Sequence, residues 1–179
     1  MMKKIQYTWN HLESAADSII VSMYQDLWKP DYIVGITRGG LPLATVISHR
    51  ISVPMWALHV DLKSNPPETE TNCWLSEWAI GYNDQANTGI TGCRWDPTLR
   101  KKILVVNDFN NSGDTIDWIK QDWQSSCFPQ QQNAWDSVWH NSVRFATMVS
   151  NLSSNSATDY SWAEINSNNP ELVFPWENK

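Results

Sequence analysis

The 179-residue chain has only three cysteines, Cys73, Cys93 and Cys127, and no two of them form a C-x-x-C pair. An odd, widely spaced set argues against both a zinc site and a disulfide framework, which leaves free thiols as the reading. Basic residues are also scarce: 13 Lys and Arg stand against 19 Asp and Glu, for a net charge of −6. Such a balance gives no basic surface for the phosphate backbone of a nucleic acid. Long hydrophobic runs are missing too. No apolar stretch approaches the roughly 20 residues that span a bilayer, and the opening MMKKIQYTWN lacks the apolar stretch of a signal peptide. The expectation is a cytoplasmic protein with neither a nucleic-acid nor a membrane partner.

What is present describes an ordinary globular protein. Hydrophobic residues make up 41% and charged residues 18%, and the length suits one domain over 1–179 that buries a proper core. Twelve tryptophans are scattered without a fixed period, so they suggest core and interface residues, not a repeat architecture.

Periodicity then sets out the elements. Between Trp9 and Trp28, Leu12, Ala15, Ala16, Ile19, Ile20, Met23, Tyr24 and Leu27 recur at three- and four-residue steps. That spacing predicts an amphipathic helix, capped at Thr8 or Asn10 and stopped by Lys29-Pro30. Tyr32 to Ile36 reads as a strand covered on both faces, broken by Arg38-Gly39-Gly40. A helix follows over Leu41–Ile51, with Pro42 in its first turn, and a second strand over Val53–Leu62. Strand, turn, helix, strand in this rhythm is a βαβ unit, and predicts a parallel sheet with a right-handed crossover.

Residues 63–100, with Ser64-Asn65-Pro66-Pro67, Gly89, Gly92 and Pro97, break the pattern and read as a flexible, functional flap and not an inert connection. Within it, Trp74–Ile80 suits a short strand or a helical turn, and Glu68, Glu70, Glu77 and Asp84 a solvated face. A third strand at Ile103–Val106, a helix over Thr115–Trp123, a short helix around Trp135 and a fourth strand at Ser142–Ser150 complete the core, about 30–150. The four histidines, His11, His49, His59 and His140, share no metal-ligand spacing.

Open parallel sheets bind ligands beyond the carboxyl ends of their strands. Two loops leave those ends with unusual composition: Thr37-Arg38-Gly39-Gly40 after the first strand, and Asn107-Asp108-Phe109-Asn110-Asn111-Ser112-Gly113-Asp114-Thr115 after the third. In the second loop Gly113 permits a tight turn whose N–H groups converge on an anion. Ser112 and Thr115 add hydroxyls, and the helix that follows aims its positive end at the same point. Asp108 lies just before this nest, where a carboxylate suits ribose hydroxyls or a metal-bound water.

ILVVNDFNNSGDT resembles the phosphoribosyl-pyrophosphate (PRPP) signature of type I phosphoribosyltransferases, and Thr37-Arg38-Gly39-Gly40-Leu41 is similar to that family's pyrophosphate loop. Phe174-Pro175-Trp176-Glu177 resembles the C-terminal hood of the bacterial and phage xanthine–guanine (6-oxopurine) enzymes. The resemblance spans roughly residues 30–177 and implies an α/β phosphoribosyltransferase fold: a mostly parallel sheet flanked by helices, with a small hood over about 151–179. It implies transfer of a 5-phosphoribosyl group from PRPP to a purine base, with Mg²⁺ as cofactor and pyrophosphate as product.

Carried over residue by residue, the resemblance gives Thr37, Arg38, Gly39, Gly40, Asn107, Asp108, Asn111, Ser112, Gly113, Asp114 and Thr115 as the PRPP- and phosphate-binding set. Asp108, Asn111 and Arg38 fall at the catalytic positions, Asp108 being also the metal ligand, and Asn151, Phe174 and Trp176 at the base. Relatives commonly pair, so a homodimer or higher homo-oligomer is expected.

Four positions depart from the family's pattern. Its acidic pair appears as Asn107-Asp108, its general base as Asn111, its purine-reading Lys as Asn151, and its stacking aromatic falls near Glu171. An amide keeps the reach of a carboxylate but accepts no proton at neutral pH. Loss of a general base costs roughly 10²–10⁴ in rate. A second reading is therefore a weak or inactive relative that binds PRPP or a nucleotide as a sensor or regulator. A third, a flavodoxin-like module, would bind its ligand without regard to Arg38→Ala.

Overall fold

The protein is described here as a computed structural model, covering residues 4–71, 73–83, 94–126, 132–166 and 171–177. Helix α1 (Trp9–Gln25) starts at Thr8, where the His11 N–H donates to the Thr8 hydroxyl and the Thr8 N–H donates back to the His11 ring. That reciprocal pair satisfies two of the N–H groups that a helix start leaves open. The helix buries Leu12, Ala15, Ala16, Ile19, Ile20 and Met23, the face its spacing predicts.

Strand β2 (Tyr32–Thr37) then enters the sheet, α2 (Leu41–Ile51) leaves its carboxyl end, and β3 (Met55–Asp61) returns beside it. After β3 come a two-residue strand β4 (Glu68–Thr69), α3 (Cys73–Ile80), and β5 (Tyr82–Asn83) paired with β6 (Arg94–Trp95). The second half runs β7 (Ile103–Asn110), α4 (Asp114–Ser126), α5 (Gln132–Asp136), β8 (Val143–Asn151), β9 (Tyr160–Ile165) and β10 (Glu171–Val173).

The main sheet has the order β4-β3-β2-β7-β8-β9, with β3, β2, β7, β8 and β9 parallel and β4 antiparallel at the edge. The mixed α/β architecture with a mostly parallel sheet is the expected one. From β2 the chain crosses to β3 on one side, and from β7 to β8 on the other, so strand order reverses between β2 and β7. Ligand crevices form at such a switch point.

Side chains alternate to the two faces. Ile33, Leu104 and Val106 pack under α1 and α2, while Val34, Ile36 and Val105 pack with Leu75, Ile119, Trp123 and Trp135 of α3, α4 and α5. Both faces are covered, which explains the near-continuous apolar runs. No helix among the described residues is long and apolar enough to cross a membrane.

Several elements differ from the sequence reading. β7 continues four residues past Val106, so Asn107–Asn110 is strand and not loop. The tail read as a hood over about 151–179 divides: Asn151 ends β8, and Tyr160–Ile165 is a further parallel strand of the main sheet. Glu171–Val173 pairs instead with β1 (Lys4–Gln6), a strand that the sequence reading did not expect. Within 63–100, Leu75, Ala79 and Ile80 of α3 are fully buried core residues. Gly89, Gly92, Asp84, Cys93 and Cys127 lie outside the described residues.

The turn from β2 to α2 presses directly on the neighbouring strand. A Cβ on Gly40 would collide with the Val106 carbonyl oxygen and stand 2.9 Å from Asn107 Cα. Gly40→Ala is expected to cost about 1–3 kcal/mol of stability, seen as a lower urea midpoint with an unchanged slope. An unaltered midpoint would show that the turn does not rest on β7.

Candidate active site

One cavity of about 1180 Å³ opens at the carboxyl ends of β2, β3 and β7. Thr37, Arg38 and Gly39 line one side; Asn107, Asp108 and Asn111–Thr115 line the other. The two loops that the sequence singled out therefore face each other across a single space. Each is followed by a helix, α2 at Leu41 and α4 at Asp114, whose first turns line the cavity. At α2 the Gly40 and Leu41 N–H groups already donate to the Ile36 and Arg38 carbonyls and Pro42 has none, which leaves α4 as the better anion-facing start.

Asp108 is the most perturbed group here. Burial pushes its carboxyl up to about 6, against the pull of its own and the Phe109 N–H, with a smaller upward push from Glu177. The Phe109 N–H donates to Asp108 Oδ1 at 2.7 Å. The carboxylate fits only because residue 39 has no side chain: a Cβ on Gly39 would fall on the Asp108 oxygens. Sequence and packing thus fit the β2–α2 turn against β7 at one glycine–carboxylate contact. Beside it, Asn107 Nδ2 donates to the Phe109 carbonyl at 3.3 Å.

On the opposite wall the Thr37–Arg38 peptide bond is cis. The Thr37 hydroxyl and His59 Nδ1 share a hydrogen bond of 2.6 Å, and His59 Nε2 lies 3.6 Å from Glu68. His59, Asp61 and Lys63, at the end of β3, form a third wall that the sequence reading missed. The signal was there, since β3 is also a parallel strand whose carboxyl end faces the crevice; its composition is ordinary and drew no attention. Thr147 was missed as well. It is the register partner of Asn107, lines the cavity, and buries its hydroxyl without a hydrogen-bond partner.

The remaining expected residues divide. Phe174 and Trp176 line the cavity, stacked on each other at 5.1 Å, with Phe174 stacked in turn on Tyr7 at 5.3 Å. Glu171 lies on β10 paired with Lys4, away from the cavity lining. Gly40 and Asn151 do not line the cavity either: Gly40 is under the turn, and Asn151 is buried at the end of β8 with its Nδ2 donating to Asn111 Oδ1 at 2.9 Å. Two of the positions that depart from the family's pattern thus bond to one another.

Among the lining side chains Arg38 and Lys63 are the permanent cations, against the carboxylates Asp61, Asp108, Asp114 and Glu177. A polyanion in this cavity must be held largely by backbone N–H groups and by a cation it brings. Among the described residues no cluster of three or more His, Cys, Asp or Glu could cage a metal.

A mostly parallel sheet whose strand order reverses between two glycine-bearing loops defines an α/β protein with its crevice at the switch point. The family model described as phosphoribosyl transferase domain matches residues 6–178, and the chain belongs to that family. Solved structures agree in fold. A purine phosphoribosyltransferase from Pyrococcus horikoshii is 19% identical with a TM-score of 0.62, over 99% of this chain and 96% of that one. The Helicobacter pylori xanthine-guanine-hypoxanthine phosphoribosyltransferase is 14% identical with a TM-score of 0.64, over 98% and 93%. A hypothetical protein from Neisseria gonorrhoeae with bound ppGpp is 16% identical with a TM-score of 0.62, over 99% and 91%. No curated protein matches by sequence.

The buried carboxylate sets a pH dependence. A carboxyl raised from 3.8 to about 6 binds its proton more tightly when folded, so its stabilising effect is whole below 3.8 and fades as pH rises to about 6. In the metal-free protein Asp108→Asn is expected to raise the unfolding free energy by on the order of 2 kcal/mol at about pH 7.5 and by little at about pH 3.5. Equal shifts at both values, measured by denaturant titration, would refute the burial account.

Proposed function

We propose that the protein transfers a 5-phosphoribosyl group from PRPP to a purine base and releases pyrophosphate, with Mg²⁺ accompanying the substrate. The observation that carries this reading is the shared cavity. Its two anion-binding loops, the first fitted against β7 at Gly39 and Asp108, lie across one space, as a sugar with phosphates at both ends requires. Family membership supports the same chemistry.

In this reading the N–H groups after Thr37, with Arg38, take the pyrophosphate. Asn111 to Thr115, at the start of α4, take the 5′-phosphate. Asp108 holds ribose hydroxyls and would be the protein's ligand to Mg²⁺, which supplies positive charge to the diphosphate. Lys63, on the third wall, adds a cation near the leaving group. A base nitrogen forms the bond to C1′ as the bond to the pyrophosphate oxygen breaks, through a transition state of oxocarbenium character. The chain's contribution is to stabilise the departing charge and to exclude water. Phe174 and Trp176 give the base an aromatic wall.

A second reading has its own observation. Asn111 offers no proton-accepting group, and its carboxamide oxygen is already taken by Asn151. A slow or silent relative that binds nucleotides would show the same site, and the Neisseria gonorrhoeae structure was solved with ppGpp bound.

Calorimetry with Mg²⁺ is expected to show binding of PRPP or of a nucleoside 5′-monophosphate; the absence of both would end the proposal. Pyrophosphate release against a panel of bases separates the two readings. Under the first, Asn111→Asp is expected to raise turnover by up to about 10²-fold. Turnover unmoved by that change would place residue 111 away from the base.

A further inference from the structure

Asn151 at the end of β8, and Ser154, Asn155 and Ser156 in the loop that follows, bond to the phosphate loop and the start of α4. The Asn155 N–H donates to the Ser112 carbonyl at 2.9 Å, and Asn151 Nδ2 to Asn111 Oδ1 at 2.9 Å. Asn110 Nδ2 donates to the Ser156 carbonyl at 2.7 Å, and the Ser154 hydroxyl donates to Asn110 Oδ1 at 3.2 Å. Further along, the Ser156 hydroxyl donates to the Asp117 carboxylate in the first turn of α4. Gly113, with φ +96°, completes the contact: a Cβ there would lie 2.7 Å from the Ser156 nitrogen and 3.0 Å from the Ser154 hydroxyl. The segment has its own internal frame, since Asn151 Oδ1 accepts from the Ser153 N–H at 3.2 Å and the Ser153 hydroxyl at 2.8 Å, and the Ser154 N–H donates to the Asn151 carbonyl at 2.9 Å.

Four of these five bonds share a direction. Each takes an acceptor on the phosphate-loop side, namely Asn110 Oδ1, Asn111 Oδ1, the Ser112 carbonyl and the Asp117 carboxylate, and holds it toward the 151–156 segment. The fifth runs the other way, from Asn110 Nδ2 to the Ser156 carbonyl. In a trans peptide C=O and N–H point opposite ways. With the Ser112 carbonyl turned to Asn155, the Gly113 N–H is left on the other side, where the cavity lies. Because Asn151 Oδ1 accepts from a backbone N–H, its amide orientation is set by chemistry, and so is that of Asn111 opposite it. Acceptors that would repel a phosphate are tied back, and donors are left facing the anion.

We propose that residues 151–156 form a brace that polarises the phosphate loop, with Asn151 and Ser156 as positioning residues for the 5′-phosphate. Asn151 then acts through the loop and does not read the base. This rests on the phosphoribosyl reading and goes beyond it.

The test compares two ligands that occupy opposite ends of the site, ribose 5-phosphate and magnesium pyrophosphate, by calorimetry on the full chain. Asn151→Ala and Ser156→Ala are each expected to weaken ribose 5-phosphate by about tenfold, and to leave pyrophosphate within about twofold because its loop lies across the cavity. If Asn151→Ala does not fold, Ser156→Ala, which keeps every backbone contact, carries the test. Variants that lose both ligands together, or neither, overturn the brace while the phosphoribosyl reading stands. A wild-type protein that binds neither ligand overturns that reading, and the brace with it.

Discussion

The contact of the β2–α2 turn with the β7 backbone is the constraint on which the rest depends. Gly39 lets the Asp108 carboxylate sit where a side chain would be, and Gly40 lets the turn rest on Val106 and Asn107. Only at the switch point of the sheet do two such loops leave neighbouring strands in opposite directions, and only there can they enclose one cavity. Core packing serves this arrangement. Two layers of helices bury both faces of the parallel strands, so β2 and β7 are held in one register, from Tyr32 opposite Ile103 to Gly35 opposite Val106.

The electrostatics follow from that geometry. The cavity has more carboxylates than permanent cations among its lining side chains. In the proposed reading, loop N–H groups and the start of α4 supply what Lys and Arg do not. Burial raises the Asp108 carboxyl to about 6, above the usual carboxylate range. A cation beside it would favour the ionised form.

Much of this was legible in the sequence, and the reasons for the misses are physical. Helices α1 and α2 were readable because each presents an amphipathic stripe with a clear stop; α2 falls on Leu41–Ile51 as expected. The loop at Asn111–Thr115 was readable because small polar residues after a buried strand have few other uses. Asn107–Asn110 was read as loop because its residues are polar, yet it is strand: pairing with β8 through Asn107, Phe109 and Asn110 outweighs low strand propensity. The β1–β10 pair escaped because short strands take their stability from partners distant in sequence. The hydrogen bond from Asn151 to Asn111 was invisible for the same reason, since the two positions are 40 residues apart.

A crystal structure with PRPP and Mg²⁺ tests the central claim most directly. The account expects the diphosphate against the backbone of Thr37–Gly40 and the 5′-phosphate within Asn111–Thr115, with the ribose over Asp108. Both phosphoryl groups crowded at one loop, or electron density for the ligand outside the cavity shared by Gly39 and Gly113, would contradict it.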